Sequence, residues 1–343
     1  MLEKPDLPDA KIVGCLRHHY GLHVIQVVFL PLGNDVNTAV YRAVTDGETP
    51  YFVKLRRGVF DETAVTAPKF LSDQGIRQII APIATRTQQL WARLDGFNLI
   101  VYPFIEGHDG WDFDVLDRQW VELGAALKAI HSAAAPPALR SSLPQETFSP
   151  QWRELVKAFQ AQVERETFDD PTAAKLAVLL KAKRPVIRHL VGQAERLGSV
   201  LQGKSPDFVL CHADLHAWNI LIDANGGLYI VDWDTLTLAP KERDLMFVGS
   251  GMGICDKAQE AALFYQGYGQ AEIDVIALAY YRYERIVQDI AAYCEQILLS
   301  DEGGEDREEG LRQLTNQFLP NNVIEKAYES EKILPPELRY QSI

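Results

Sequence analysis

The chain has 343 residues, 47% of them hydrophobic, which is long enough for two lobes that each bury a core. Its 47 acidic residues outnumber 34 basic ones, and the formal net charge of −13 argues against nucleic acid as a partner while suiting a cationic small molecule. No apolar run reaches the length of a membrane span and residues 3–6 lack a signal-peptide core, so we expect a cytoplasmic protein with no membrane partner. The sequence does not determine an oligomeric state.

The first 107 residues carry the pattern of a β-rich lobe. The segments 24–30 and 38–44 predict two strands joined by a turn that contains Gly33 and Asn34. A third strand, 51–55, includes Lys54. A lysine in a run of β-forming residues is weak evidence alone, since charges often occupy the wet face of a strand.

A short helix and a hairpin are predicted next. The helix covers 61–72, with Glu62 near its start, and ends at Gly75. Asp95-Gly96 is a two-residue hairpin turn between the segments 88–94 and 97–105. The hairpin leads into Tyr-Pro-Phe-Ile at 102–105, which ends the predicted β lobe at Gly107.

Residues 108–343 form the predicted second lobe, which is mainly helical. Apolar residues recur at helical spacing from Leu116 to Ile130. The stretch 152–201 is also mostly helical and is broken at Asp169-Asp170-Pro171. The predicted fold class is therefore α+β, with a small antiparallel β lobe and a larger helical lobe.

Acceptor side chains are concentrated around residues 211–234. If Asn225-Gly226 forms a two-residue hairpin turn, the register places Asn219 directly opposite Asp232. Opposed residues have Cβ atoms about 4.5–5.5 Å apart, which suits two oxygen ligands of one Mg²⁺ ion. Asp214 lies just upstream and is available for another role.

An Asp, an Asn five residues later and a second Asp after a hairpin match the phosphoryl-transfer residues of kinases. The segment 212–219, His-Ala-Asp-Leu-His-Ala-Trp-Asn, resembles the H-x-D-L-H-x-x-N motif of the aminoglycoside phosphotransferase family. That resemblance implies a protein-kinase-like fold in which Asp214 is the catalytic base. It also implies that Asn219 and Asp232 hold Mg²⁺ and that Lys54 contacts the nucleotide phosphates.

The resemblance extends to the remaining nucleotide contacts. It implies that Gly33 and Asn34 lie in the loop that covers the phosphates, and that Glu62 is the candidate ion-pair partner of Lys54. It further implies a hinge in which Pro103 supplies a carbonyl and Ile105 an amide to the adenine. An edge-strand proline, or a carboxylate at a helix N-terminus, would give the same sequence. The resemblance implies ATP as the nucleotide and leaves GTP open.

Two other interpretations of the 211–234 segment remain open. His212, Asp214 and His216 alternate along an extended stretch and could bind zinc, although this leaves Asn219 and Asp232 without a role. The segment could also be a plain apolar hairpin, which does not explain the polar groups at its open end.

The acceptor is predicted from later blocks, 264–269 and 280–290, which resemble the aminocyclitol kinases of the same family. The resemblance implies transfer of the ATP γ-phosphoryl group to an aminocyclitol antibiotic, with spectinomycin as the expected acceptor and resistance as the result. Asp234, Glu284 and Asp289 are candidate contacts for the cationic acceptor. The alternatives are a kinase of another small alcohol, of the choline, homoserine or fructosamine type, and an inactive kinase-fold nucleotide sensor.

Overall fold

The computed structural model describes residues 3–33, 35, 37–112, 114–204, 206–300 and 303–340. The strands in these ranges are β1 (Val24–Leu30), β2 (Thr38–Thr45), β3 (Pro50–Arg57), β4 (Ala92–Leu94), β5 (Phe97–Pro103), β6 (Gly107–Asp109), β7 (Val209–Cys211), β8 (Ile220–Asp223), β9 (Leu228–Ile230) and β10 (Thr237–Ala239). The α-helices are α1 (Asp9–Cys15), α2 (Thr63–Asp73), α3 (Asp117–Ser132), α4 (Pro137–Ser142), α5 (Gln151–Arg165), α6 (Pro171–Ala182), α7 (Arg184–Gln202), α8 (Glu242–Leu245), α9 (Ala258–Tyr268), α10 (Val275–Leu298), α11 (Gly304–Gln317) and α12 (Val323–Ser330).

The chain divides by its internal contacts into two compact units, neither of which is continuous in sequence. The first takes the ranges 1–114, 133–143 and 218–236, and the second takes 115–132, 144–217 and 237–343. The first unit therefore includes the hairpin β8–β9 as well as the N-terminal sheet. The single boundary at Gly107 inferred from the sequence is a simpler division and stays a prediction.

An antiparallel five-stranded sheet forms the framework of the first unit, in the order β1-β2-β3-β5-β4. Its central strands are rich in apolar residues, and Val53, Leu55, Leu99 and Val101 are fully buried. Lys54 is among the few charged residues in this sheet that are buried, and it lies between Val40 of β2 and Ile100 of β5. A charged group in this position needs partners, because an unpaired buried charge is costly.

The hairpin β4–β5 confirms the predicted Asp95-Gly96 turn. Leu94 pairs with Phe97, so two residues form the loop. Both have positive φ, 44° at Asp95 and 82° at Gly96, as a two-residue turn of the favoured type requires.

Helices dominate the second unit, and α3 and α9 lie very close together within it. A Cβ atom on Gly124 of α3 would lie 2.0 Å from the carbonyl oxygen of Phe264, and one on Gly267 of α9 would lie 1.9 Å from that of Val121. Glycine at these two positions lets the helix backbones touch. The apolar stripe predicted for α3 is buried at Trp120, Leu123, Leu127 and Ile130, whereas Leu116 precedes the helix and is 52% exposed.

The helix α10, 24 residues long, carries several of the charged groups discussed below. Asp274 caps it by accepting hydrogen bonds from the backbone N–H groups of Ile276 and Ala277. The predicted α+β class, with an antiparallel sheet and a larger helical part, is confirmed. Within the described ranges no helix is both long and apolar enough to cross a membrane.

Candidate active site

The ammonium group of Lys54 on β3 contacts two carboxylates in the first unit. Its Nζ lies 2.9 Å from Oδ1 of Asp232 and 2.8 Å from Oδ2 of Asp234. Burial alone would lower the pKa of Lys54, but the two carboxylates outweigh it and hold the pKa well above its ordinary value. The lysine is therefore a fixed positive charge against two acidic groups.

The Asp-Trp-Asp segment is held by a second cation that the sequence analysis did not identify. Arg56 lies two residues after Lys54 on β3, so both side chains leave the same face of the strand. Its guanidinium forms an ion pair with Asp234, and its Nη1 lies 3.8 Å from Oδ2 of Asp35. The sequence did contain a signal for Arg56. Side chains alternate between the two faces of a strand, so any side chain at position 56 lies on the same face as Lys54.

The predicted pair between Lys54 and Glu62 is not formed. Among the described residues, Asp232 and Asp234 are the two ion-pair partners of Lys54. Glu62 is exposed and is the residue before α2, where its backbone carbonyl accepts hydrogen bonds from the N–H groups of Val65 and Thr66. Asp232 and Asp234, which follow β9, are the ion-pair partners of Lys54 in place of the predicted Glu62.

The hairpin β8–β9 has a different register from the predicted one. Ile222 pairs with Leu228 and Ile220 with Ile230, one residue away from the register of a two-residue Asn225-Gly226 turn. The backbone N–H of Val231 accordingly donates to the carbonyl of Asn219. Asp232 therefore lies beyond the position directly opposite Asn219, and the register prediction was wrong by one residue.

The side chain of Asp223 explains the altered register. Its Oδ1 accepts hydrogen bonds from the backbone N–H groups of Asn225 and Gly227, both at 2.8 Å. These bonds stabilise a longer loop of three residues in which Gly226 has a φ of 79°.

Asn219 and Asp232 still lie in the same unit at the end of this hairpin. Asn219 is 7% exposed, whereas the Asp232 side chain is 51% exposed. Asp232 has a φ of 62°, a left-handed conformation that is unusual for a residue with a side chain. Strained backbone of this kind often occurs at functional sites.

The remaining predicted nucleotide contacts are at the edges of the first unit. Pro103 is exposed at the end of β5, and Ile105 follows it before β6. Gly33 has a φ of 79° in the connection between β1 and β2, while Asn34 lies outside the described residues. Their roles toward a nucleotide stay predictions.

In the second unit, a buried aspartate fixes the backbone before Asp214. The carboxylate of Asp244 accepts hydrogen bonds from the N–H groups of His212, at 2.9 Å, and Ala213, at 2.6 Å. Ala213 has a φ of 67°, so this carboxylate holds a conformation that an alanine rarely adopts. His131 supports Asp244 through an Nε2 contact of 2.9 Å.

The Asp214 carboxylate contacts two cationic or potentially cationic groups. Oδ1 forms an ion pair with Arg285 of α10, and Oδ2 lies 3.5 Å from Nε2 of His216. Burial raises the pKa of the Asp214 carboxyl, but the Arg285 guanidinium and then His216 outweigh it and hold the pKa well below its usual range. Asp214 is therefore an ionised carboxylate.

The two acceptor candidates on α10 occupy different environments. Glu284 is 4% exposed and its Oε2 lies 3.4 Å from Nη1 of Arg153, with no hydrogen bond to that oxygen from the described residues. Burial raises the pKa of Glu284 to about 7. This location favours a structural role and does not support the predicted acceptor contact. Asp289 lies near Asp214, because Arg285 contacts both.

The zinc alternative finds no support in the described part of the chain. The Nδ1 atom of His212 is occupied, since it accepts a hydrogen bond of 3.3 Å from the backbone N–H of Asp214. Among the described residues, one group of three His, Cys, Asp or Glu side chains has ligand atoms close enough to share a metal, and it consists of His131, Cys211 and Asp244.

Hydrogen bonds within the protein account for that group. His131 contacts Asp244 through Nε2 and the hydroxyl of Tyr268 through Nδ1. The Cys211 thiol points to the carbonyls of Ala239 and Pro240, and burial raises its pKa well above the ordinary value. A protonated thiol is a poor metal ligand, so the group is structural.

Comparison with known proteins identifies the family. The chain matches the phosphotransferase enzyme family over residues 28–282. It belongs to this family. The predicted family and enzyme class are thus confirmed.

Solved structures support the same conclusion. The crystal structure of spectinomycin phosphotransferase APH(9)-Ia in complex with ADP and spectinomycin is 37% identical, covers 96% of this chain and 100% of that chain, and has a TM-score of 0.88. The AMP-bound complex of the same enzyme is 36% identical over 93% of this chain and 98% of that one, with a TM-score of 0.82. Choline kinase LicA from Streptococcus pneumoniae, at 17% identity over 90% and 97% of the two chains and a TM-score of 0.55, shares the fold.

A sequence relative is more distant. Protein StrN from Streptomyces griseus is 26% identical over 247 residues, which are 69% of this chain and 74% of the relative. The first unit contains a paired lysine with two carboxylates beside it, and the second contains an ionised aspartate in the segment 212–219. The arginines that hold these carboxylates, Arg56 and Arg285, are the residues that sequence reasoning missed.

Proposed function

We propose that this phosphotransferase transfers the γ-phosphoryl group of ATP to a hydroxyl group of spectinomycin and so confers resistance to it. The observation that carries the proposal is the similarity to APH(9)-Ia, at 37% identity over 96% of this chain, whose structure holds ADP and spectinomycin. The blocks 264–269 and 280–290, which lie outside the 212–219 motif and resemble aminocyclitol kinases, support the same acceptor. The net charge of −13 also suits a cationic acceptor.

Lys54 has the position and charge to bind the nucleotide phosphates. Its ammonium group is charged and faces Asp232 and Asp234 in this structure. Arg56 adds a second cation on the same face of β3 and joins Lys54 at Asp234. We assign the α- and β-phosphates to Lys54, with Arg56 as a further candidate contact.

Magnesium fits the donor set on the hairpin. Asn219 and Asp232 offer an amide and a carboxylate oxygen, the ligand types that Mg²⁺ prefers, and half of the Asp232 side chain is exposed. When bound there, the ion supplies positive charge to the transferring phosphates.

Asp214 is assigned as the general base. The acceptor hydroxyl oxygen forms a bond to the γ-phosphorus while the bond from that phosphorus to the β–γ bridging oxygen breaks, and ADP leaves. The hydroxyl proton passes to the Asp214 carboxylate, which is ionised and can accept it. Asp234 remains a candidate contact for the amino groups of the acceptor.

The proposal is tested by ADP release from the purified protein across a panel of hydroxylated amines that contains spectinomycin, choline and homoserine, with mass spectrometry of the products. We expect ADP release and a phosphorylated product with spectinomycin at micromolar concentrations. Turnover with choline or homoserine and none with spectinomycin would replace the proposal with a metabolite kinase. ATP binding without turnover of any acceptor would favour the nucleotide sensor.

A further inference from the structure

An arginine from α10 connects the candidate base to the helical framework. Arg285 forms an ion pair through Nη1 with Oδ1 of Asp214, and its Nε lies 2.8 Å from Oδ1 of Asp289, one turn further along the helix. The Nε–Oδ1 approach is a charge contact rather than an aligned hydrogen bond, since Nε has no hydrogen-bond partner among the described residues. All three side chains are largely buried, with exposures of 19%, 21% and 15% for Arg285, Asp214 and Asp289.

Asp289, the last residue in this series of contacts, is also held in place. Oδ2 of Asp289 accepts a hydrogen bond of 2.9 Å from Nε2 of Gln317 at the end of α11. The Arg285 guanidinium also lies 5.7 Å from the ring centre of Phe247. Contacts on several sides restrict the arginine, so it approaches Asp214 from one fixed direction.

This arrangement makes the two oxygens of Asp214 different. Oδ1 is engaged by Arg285, whereas Oδ2 lies on the side of His216. A rotation of the carboxylate would break the ion pair, and breaking one partner of a buried pair is costly. The arginine thus selects one orientation of the base.

We propose that Arg285 is a positioning residue that orients the Asp214 carboxylate toward the acceptor hydroxyl, and that Asp289 acts one step further away by holding Arg285. This inference rests on the proposed role of Asp214 as the base. It assigns Asp289 to the support of Arg285 instead of to the acceptor. A base displaced by about 1 Å loses roughly 10²-fold in rate, so the orientation has a measurable effect.

The positive charge of Arg285 should also affect the pH dependence of the rate. The Asp214 carboxylate must be ionised to take the proton, and Arg285 favours its ionised form. The other charged or titratable groups nearby are His216 on the catalytic segment and Asp289 and Tyr293 on α10, with Arg282 and Lys326 lining a small cavity beside Arg285. Removing Arg285 should therefore raise the pH at which the rate falls on the acid side.

The test compares Arg285→Ala with a matched control, Arg282→Ala. Arg282 lies on the same helix and donates to the carbonyl of Val248 and the hydroxyl of Ser330, without contacting Asp214. For Arg285→Ala we expect kcat to fall roughly 10²-fold while the KM for ATP changes less than about twofold. The acid limb of the kcat profile should move to higher pH, and added guanidinium should restore part of the rate.

The control variant should show neither the shifted acid limb nor rescue by guanidinium. Arg285→Lys, which keeps the charge, should keep the acid limb nearer its original position. If Arg285→Ala does not fold, the neutral variant Arg285→Gln replaces it in the test. An unshifted acid limb together with no rescue would show that Arg285 is only structural. The assay uses whichever acceptor the wild-type protein phosphorylates, so failure of spectinomycin as the acceptor is recognised separately.

Discussion

Lys54 and Asp232 are separated by 178 positions in the chain, yet Nζ of the lysine lies 2.9 Å from Oδ1 of the aspartate. The contact links the central strand of the N-terminal sheet to the segment after β9. One residue is the candidate phosphate ligand and the other the candidate metal ligand. The two groups therefore neutralise each other here, and nucleotide binding should replace this ion pair with contacts to phosphate and metal.

Replacing the lysine should weaken nucleotide binding. Lys54→Met keeps most of the apolar stem but removes a charge-assisted contact, worth about 1.5–3 kcal/mol. The KM for ATP should rise by roughly tenfold to hundredfold, and the KM for the acceptor should change little. Initial rates at varied ATP and fixed acceptor measure the effect.

The control for this prediction is Lys69→Met. Lys69 is an exposed lysine on α2 that pairs with Asp73 in the same helix. Surface pairs of this kind contribute about 0–1 kcal/mol, so the kinetic constants should not change. An ATP KM that is equal in the two variants would remove Lys54 from the nucleotide site.

Substitution of the candidate base should affect turnover and leave nucleotide binding intact. Asp214→Asn keeps the shape of the side chain but removes its ability to accept a proton. We expect kcat to fall by roughly 10²- to 10⁴-fold, as is typical of general-base catalysis, with the KM for ATP nearly unchanged. Turnover close to that of the wild type would exclude Asp214 as the base.

Asp244→Asn tests the support of the backbone that precedes Asp214. The carboxylate accepts hydrogen bonds from the N–H groups of His212 and Ala213, and an asparagine offers only one accepting oxygen. Breaking such a buried charged contact costs about 3–5 kcal/mol in the free energy of unfolding. Urea unfolding should show this loss, while Asp73→Asn on the surface of α2 should be nearly neutral. Equal midpoints for the two variants would contradict the role of Asp244.

Two hairpins show which parts of the fold follow from the sequence. At Asp95-Gly96 both residues tolerate positive φ, and the expected turn forms. At Asn225-Gly226 the carboxylate of Asp223 binds two backbone N–H groups and lengthens the loop by one residue. The turn was predicted from its two central residues alone, but the register of the β8–β9 hairpin also depends on the side chain of Asp223.

The candidate site shows a similar limit. The spacing of Asp214, Asn219 and Asp232 was enough to predict phosphoryl-transfer chemistry, because a motif records which groups are close in the chain. The partners of those groups come from elsewhere, Arg56 from β3 and Arg285 from α10. Contacts between residues distant in sequence leave no local pattern, so sequence reasoning could not choose between Glu62 and the carboxylates that actually hold Lys54.

Glu284 provides a prediction about stability and pH. Burial raises its pKa from 4.5 to about 7, so between these values the folded protein binds more protons than the unfolded chain. The free energy of unfolding contributed by this group therefore falls as pH rises through that window, by at most about 3 kcal/mol. A glutamine at this position is neutral throughout and should not show the loss.

The measurement compares Glu284→Gln with the wild type in chemical unfolding at pH 5 and pH 8. We expect the difference in unfolding free energy to move in favour of the variant as pH rises, because only the wild type must ionise a buried carboxyl beside Arg153. Glu195→Gln is the control, since Glu195 is 49% exposed and pairs with Lys157 at the surface. If the Glu284→Gln difference is the same at both pH values, Glu284 ionises in the folded protein as it does in the unfolded chain.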